Sequence, residues 1–189
     1  MSTSKHALED REWHDIVYQD WFMPDDAATL EQLYEMHQED AYKMMQYLKT
    51  NYPNAKHYYY QHWAWDIGHD GCPTLEAQEA MWERINTAST KFAADNDFIL
   101  IPCGAAYENA RDDERITAPL CRTDELHDEA SSGGQYILGC VFFETIFRES
   151  CIGDTWRAID GPSEQTHLAL QEIAHATVAE VHGADWVKE

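Results

Sequence analysis

The feature that most constrains the fold is an alternation of strand-like and helix-like segments along the chain. Three segments have the β-branched and aromatic content of strands: Trp13 to Gln19, Ala55 to Trp63 and Phe98 to Pro102. A segment with apolar residues at helical spacing follows each of them. Such alternation is typical of parallel sheets joined by right-handed helical crossovers. The sequence therefore predicts an α/β fold with a parallel sheet flanked by helices.

The helical segments differ in how their apolar residues are arranged. The stretches from about Thr29 to Lys49 and from Leu75 to Phe92 each carry one apolar stripe, and Thr74 is a candidate N-cap for the second. The stretch from Gln135 to Phe147 is apolar nearly all round, which predicts a buried helix. A final helix is predicted to begin at Pro162 and Ser163 and to end at Gly183.

Size and charge limit the domain organisation and the partners. A chain of 189 residues with 44% apolar content can bury one sizeable core, and it contains no long polar linker. We therefore expect one domain over residues 1–189. The 35 acidic residues outnumber the 13 basic ones and give a formal charge of −22. This charge repels phosphate backbones and anionic lipid surfaces, so we expect neither nucleic acid nor membrane as a partner.

The cysteines and histidines do not form a pattern that binds metal or builds a disulfide framework. The five cysteines are odd in number, include no Cys-x-x-Cys pair and are predicted to be buried thiols. The ten histidines include no His-Glu-x-x-His motif. We expect no metal and no cofactor. The first residues lack a signal-like apolar segment, which predicts a cytoplasmic protein, or a secreted or periplasmic one if an upstream signal has been lost.

The predicted strands place polar residues at one edge of the sheet. Gln19 and Asp20 follow the first strand, His62 and Trp63 end the second, and Cys103 and Gly104 follow the third. In open parallel sheets, ligands bind beyond the carboxyl ends of the strands. These residues are therefore expected to converge on a ligand site.

An Asp-x-x-His motif, Asp124 to His127, has the composition of a catalytic acid-base pair. In such a pair the imidazole accepts a proton from a nucleophile, and the carboxylate fixes its tautomer and stabilises the imidazolium. The sequence contains neither a Gly-Asp-Ser nor a Gly-x-Ser-x-Gly turn to supply that nucleophile. Ser131 and Ser132 lie in a flexible Ser-Ser-Gly-Gly setting and are predicted to be turn residues.

Several sequence blocks in order resemble an uncharacterised branch of the SGNH/GDSL esterase-lipase superfamily. They are Trp13 to Gln19, His62 to Trp65, Leu100 to Arg111, and the motif Asp124 to His127 before Gly134-Gln135-Tyr136. The resemblance implies a flavodoxin-like three-layer sandwich with a parallel sheet. It also implies truncation at the N-terminus, because the block that carries the nucleophile in relatives has no counterpart here. About three core strands remain, and residues 1–189 correspond to the C-terminal two-thirds of the full fold.

The resemblance also assigns expected roles to individual residues. His127 is expected to be the general base and Asp124 its orienting carboxylate. Gln19 is expected to donate a hydrogen bond to the oxyanion, and His62 and Trp63 to wall the pocket. The ligand is expected to be a small-molecule ester or a carbohydrate, bound without a cofactor.

These expectations combine into one function with two alternatives. The chain is expected to be an SGNH-type serine ester hydrolase domain that keeps its acid-base pair, lacks its nucleophile and is inactive alone. The alternatives are a non-catalytic binding or assembly module of the same fold, for carbohydrates or small ligands, and one subunit of a split esterase. The strand segment Ile16 to Tyr18 would lie at an open apolar edge, so a homodimer or larger assembly through that edge is expected.

Overall fold

The computed structural model describes residues 12–19, 40–122, 127–157 and 161–188. In chain order these residues form β1 (Asp15–Tyr18), α1 (Asp40–Asn51), β2 (Lys56–Tyr60), α2 (Leu75–Asp95), β3 (Ile99–Ile101), α3 (Cys103–Arg111), α4 (Gly134–Phe147) and α5 (Glu164–His182). The predicted α/β class is confirmed.

The sheet has three parallel strands in the order β1-β2-β3. Val17 pairs with Tyr58 across the first two strands, and Tyr60 pairs with Ile101 across the second two. Each crossover thus steps to the neighbouring strand in the same direction. Right-handed crossovers of this kind place their helices on the same face of the sheet.

Two helical layers cover the two faces, as expected of a three-layer flavodoxin-like sandwich. Side chains alternate along a strand, so Tyr59 lies on one face of β2 while Tyr58 and Tyr60 lie on the other. Tyr59 packs with Met45 of α1 and Phe92 of α2. The other face, with Ile101, packs against residues of α3, α4 and α5: Ala106, Tyr107, Ala110, Ile137, Val141, Leu170, Ala174 and Val178.

Several helix ends follow the chemistry expected from the sequence. Thr74 accepts a hydrogen bond from the Ala77 backbone N–H at 3.2 Å, and Ser163 accepts one from that of Thr166 at 3.2 Å. Gly183 ends α5 with a φ of +98°, a conformation that glycine adopts without strain. These caps confirm the predicted starts of α2 and α5 and the predicted end of α5.

The helix α3 was not predicted from the sequence. It has nine residues, begins after Pro102 and has no side-chain cap at its start. Its buried residues are mostly small, and they fall within fewer than three turns: Cys103, Gly104, Ala106, Tyr107 and Ala110. A stripe this short gives little periodic signal, and α3 owes its helical form to packing between the sheet, α4 and α5.

All five cysteines are buried and unpaired, as predicted. Within the described ranges, no helix combines the length and the apolar character that crossing a bilayer requires.

Candidate functional site

Gln19 and His62 meet at the carboxyl edge of the sheet, as the sequence predicts. Gln19 directly follows β1, and His62 lies two residues beyond β2. The Gln19 amide nitrogen is 3.4 Å from Nε2 of His62, so the amide donates when that ring nitrogen carries no proton. The amide has two N–H groups, and a second one can therefore reach a ligand at the same edge.

Aromatic rings surround His62. Its ring centroid is 5.2 Å from that of Tyr60 and 5.9 Å from that of Trp63. Trp63 in turn stacks on Tyr107 of α3, with centroids 4.7 Å apart and an interplanar angle of 20°. Trp63 is half-buried, and this stack holds its ring against α3.

The buried Gln61 fixes the chain between β2 and these side chains. Its side-chain amide donates to Asn86 Oδ1 at 3.0 Å and to Ser89 Oγ at 2.9 Å. Its side-chain oxygen accepts from the Ala105 N–H at 3.0 Å. Both the nitrogen and the oxygen of the Gln61 amide are hydrogen-bonded. Gln61 therefore anchors the loop to α2 and α3 and fixes the position of the neighbouring His62.

A close backbone approach at Gly104 completes this anchor. The Gly104 N–H donates to the Gln61 carbonyl at 3.2 Å. A Cβ at Gly104 would lie 2.0 Å from the His62 carbonyl oxygen and 2.7 Å from the Trp82 ring. Only glycine fits where α3 begins against the His62 loop.

His127 lies where residues 127–129 pair with residues 120–122. The Arg122 N–H donates to the His127 carbonyl at 2.7 Å, the Glu129 N–H donates to the Leu120 carbonyl at 2.7 Å, and Cys121 and Asp128 form an antiparallel bridge between them. The His127 side chain is exposed. Asp124, its predicted partner, lies outside the described residues.

The charge of Asp128 reaches the aromatic residues at the carboxyl end of β2. Burial raises the pKa of Tyr60, and the Asp128 carboxylate raises it further. Burial likewise raises the pKa of Tyr107, with Cys121 and Asp128 contributing. Both phenols therefore stay protonated, and Tyr107 donates to the Leu120 carbonyl at 2.7 Å. The Leu120 carbonyl also accepts from the Glu129 N–H, so the segment beside His127 is held against Tyr107 of α3.

A half-buried ion cluster supports the same region. The Arg111 guanidinium donates to Asp66 at 2.6 Å and also contacts the Ala64 carbonyl and Glu108. Burial acts to lower the pKa of Arg111, and the Glu108 and Asp66 carboxylates more than offset that effect, so the pKa is raised. Burial raises the pKa of Glu108 to about 7, although Arg111 and the Ala64 N–H oppose the shift.

Cys103 lies where a nucleophile could lie, but its thiol is buried and protonated. It begins α3 directly beyond β3, where a strand-to-helix turn can present a reactive side chain. Its side chain is fully buried, and burial raises the pKa of the thiol well above its usual range. A buried neutral thiol neither attacks a carbonyl nor binds metal well. Nor does any group of three potential metal ligands occur in the portion of the chain that the structure covers.

The comparisons with known proteins agree on the family. The model of a domain of unknown function, DUF4886, matches residues 2–177. The chain belongs to the DUF4886 family. A crystal structure of a DUF4886 family protein from Bacteroides uniformis is similar to it with a TM-score of 0.74 at 23% sequence identity, covering 98% of this chain and 69% of that one. This likeness supports the fold. No curated protein matches the chain.

In this DUF4886 chain, the residues at the carboxyl edge of the sheet were predicted from the sequence, and two acidic residues behind them were not. Gln19, His62 and Trp63 were identified because they follow strands. Asp66 and Glu108 were missed, since lone acidic residues in a chain with 35 of them carry no signal before their partner Arg111 is placed.

Proposed function

We propose that this domain is an SGNH-type ester hydrolase domain whose own residues supply a substrate pocket and an acid-base arm but no nucleophile. It would therefore be inactive alone. The observation that carries the proposal is the contact between Gln19 and His62 at the carboxyl edge of a parallel sheet, beside an aromatic wall. A donor amide and an imidazole at this edge suit an ester or a carbohydrate.

Each proposed role follows from the chemistry of the side chain. The Gln19 amide donates to the oxygen that becomes negatively charged in the tetrahedral intermediate. His127 takes the proton of an attacking hydroxyl, and Asp124 orients the imidazole and stabilises its charged form. The Leu120 carbonyl accepts from both the Glu129 N–H and the Tyr107 hydroxyl, which supports placing this arm near the pocket.

The proposal that this domain supplies no nucleophile can be tested by assays of ester hydrolysis and of serine labelling. We expect the purified chain to hydrolyse p-nitrophenyl acetate no faster than the His127→Ala variant. We also expect intact-mass spectrometry to find no adduct with a fluorophosphonate, which labels activated serines. An adduct on one serine, together with turnover that His127→Ala abolishes, would contradict the missing nucleophile and show a complete enzyme.

The alternative function is a binding module that uses the same pocket without chemistry. The full burial of Cys103 favours it, because the thiol at the turn from β3 to α3 is inert. In this case, NMR titration with an acetylated monosaccharide would shift the signals of Gln19 and His62 saturably. Gln19→Ala and His62→Ala should each weaken binding several-fold, whereas His14→Ala, at an exposed position just before β1, should leave it unchanged. Equal affinities in all four proteins would exclude this pocket.

We also propose that the edge of β1 carries a self-association surface. Among the described strands, β1 is an outer one, and Val17 on it is 40% exposed. Backbone groups along an uncovered strand edge favour pairing with a second strand, here that of another copy. A split esterase would use such an edge for its complementary chain.

A further inference from the structure

Two cysteines from different parts of the chain line one cavity. Cys140 lies in the middle of α4, and Cys151 lies in the segment that follows this helix. The cavity has a volume of about 800 Å³ and extends between α4, residues 150–156 and the start of α5. Ile152 and Trp156 also line it and are 46% and 63% exposed, so the cavity is open to solvent on that side. Small solutes can therefore enter the space beside the two cysteines.

Glu144 holds the backbone of Cys151 against the part of α4 that carries Cys140. Cys140 and Glu144 are four residues apart in this helix, so they lie on the same face, one turn apart. The fully buried Glu144 carboxylate accepts from the Cys151 N–H at 2.8 Å. It is also 3.1 Å from Nδ1 of His175 on α5. The position of Cys151 beside α4 is thus fixed by its backbone and by a carboxylate, independently of the sulfur atoms.

The two thiols are hydrogen-bonded to each other. Cys151 donates to the Cys140 sulfur, and the Tyr136 hydroxyl donates to the same sulfur. The Tyr136 oxygen accepts from the Gln171 side-chain amide at 2.8 Å, which leaves its own proton directed at Cys140. The Gln171 carbonyl, 3.8 Å from the Cys151 sulfur, is a second acceptor for the Cys151 proton. Cys140 therefore receives hydrogen bonds at its sulfur, and Cys151 supplies one of them.

These hydrogen bonds make the acidities of the two thiols unequal. The Cys151 thiol lowers the pKa of Cys140 by donating to its sulfur, and Tyr136 acts in the same direction. Burial and the Glu144 and Asp154 carboxylates oppose this shift without cancelling it. The pKa of Cys151 is raised, because Cys140 holds its proton and because it is buried. Since the thiolate is the nucleophilic form of cysteine, Cys140 is the more reactive sulfur of the pair.

The other three cysteines of the chain are in a different state. Burial raises the pKa of Cys103 well above its usual range and raises that of Cys121 to about 12. Cys72 is fully buried, and its thiol donates to a backbone carbonyl at 3.3 Å. Buried, protonated thiols are inert toward oxidants. These three cysteines should therefore stay reduced under conditions that oxidise Cys140.

We propose that Cys140 and Cys151 form a redox-active pair that a hydroperoxide converts into a disulfide. The Cys140 thiolate attacks one peroxide oxygen and the O–O bond breaks. Cys140 becomes a sulfenic acid, and the other oxygen leaves as water or an alcohol after taking up the proton that Cys140 released. The Cys151 sulfur then attacks the sulfenic sulfur, the S–O bond breaks, and hydroxide leaves as water with the Cys151 proton. Two electrons pass from the sulfurs to the peroxide. The site is independent of the function proposed for the sheet edge.

The test uses hydrogen peroxide and the intact folded chain. A small oxidant is needed, because Cys140 and Cys151 are only 4% and 6% exposed. After treatment, blocking of the remaining thiols and digestion, mass spectrometry should find one disulfide, which joins Cys140 to Cys151. The intact protein should lose the mass of two hydrogen atoms, and dithiothreitol should restore it.

Three variants separate the roles of the two sulfurs. Cys151→Ser removes the second thiol but keeps a hydroxyl that can donate to Cys140, so peroxide should leave a sulfenic acid that dimedone traps at position 140. Cys140→Ser should form no disulfide and should lose thiols to peroxide at least about tenfold more slowly than the wild type. Cys72→Ser is the matched control, because a hydroxyl can replace the buried thiol as donor to the same carbonyl. It should form the disulfide at the wild-type rate.

Three results would overturn the proposal. The first is a wild-type protein that keeps both thiols under peroxide conditions that fully oxidise glutathione. The second is a disulfide that joins a different pair of cysteines or two separate chains. The third is a Cys140→Ser variant that loses thiols to peroxide as fast as the wild type.

Discussion

At the scale of single residues, the ion cluster around Arg111 links the loop that carries His62 to α3. Arg111 contacts Asp66 and the Ala64 carbonyl of that loop and Glu108 of its own helix. Asp66 also accepts a hydrogen bond from the Cys121 N–H at 3.4 Å, next to the turn that holds His127. The cluster therefore ties together both regions that the proposed function needs. Within the cluster, Glu108 resists ionisation because its carboxyl group is buried.

Because of Glu108, the free energy of unfolding should fall as pH rises toward neutrality. Its folded-state pKa of about 7 exceeds that of an unfolded glutamate, so the native state binds this proton more tightly. Its contribution to the free energy of unfolding is fully present below the unfolded pKa and is lost as pH rises through about 7. Glu108→Gln keeps an acceptor for the Ala64 N–H without the charge. Relative to the wild type, it should gain on the order of 2 kcal/mol between pH 4.5 and pH 8.

Urea denaturation at several pH values measures this difference. Glu79→Gln, on the exposed side of α2, is the matched control for the loss of one negative charge. A difference between Glu108→Gln and the wild type that stays constant with pH would show that folding leaves the pKa of Glu108 unchanged.

At the scale of secondary-structure elements, the loop after β2 and the start of α3 fit together through Gly104. The contact has no room for a methyl group, because the nearest atom belongs to the His62 backbone and cannot rotate away. By contrast, Gly139 in the middle of α4 faces open space. A side chain is therefore excluded at Gly104 and tolerated at Gly139.

The same substitution at these positions should change stability in opposite directions. Gly104→Ala forces α3 away from the His62 loop and should lower the free energy of unfolding by about 2 kcal/mol or more. Gly139→Ala should raise it by up to about 1 kcal/mol, since alanine is the better helix former. Chemical denaturation of both variants measures the pair. A Gly104→Ala protein as stable as the wild type would mean that α3 does not hold the loop.

At the scale of the whole molecule, three strands separate two helical layers of different composition. One layer packs through α1 and α2 and the other through α3, α4 and α5. β2 is paired on both sides, while β1 and β3 are each paired on one side among the described strands. Of the two outer strands, β1 carries the exposed Val17.

Self-association through β1 should appear as a concentration-dependent mass. We expect sedimentation velocity to show a dimer or larger species at tens of micromolar and Val17→Lys to shift it toward monomer, because an edge lysine blocks strand pairing. Leu75→Lys, which removes another exposed apolar side chain, should leave the mass distribution unchanged. A wild type that stays monomeric at all concentrations would exclude the assembly.

Much of the fold was predictable because the relevant signals are local. Alternating and helical periodicities record which side of an element is buried, and they placed the three strands and most of the described helices. The caps at Thr74, Ser163 and Gly183 act within one turn and were equally readable. Buried cysteines followed from their number and spacing alone.

The sequence by itself determined the layer architecture and the edge at which Gln19 and His62 lie, because strand direction and crossover handedness fix both. Only the tertiary structure decided which groups meet: the pairing of Arg111 with Asp66, the close approach that requires glycine at position 104 and the stack of Tyr136 on His167. Each of these depends on the distance between residues far apart in the chain. Local periodicity carries no information about such distances, which packing of the complete core sets.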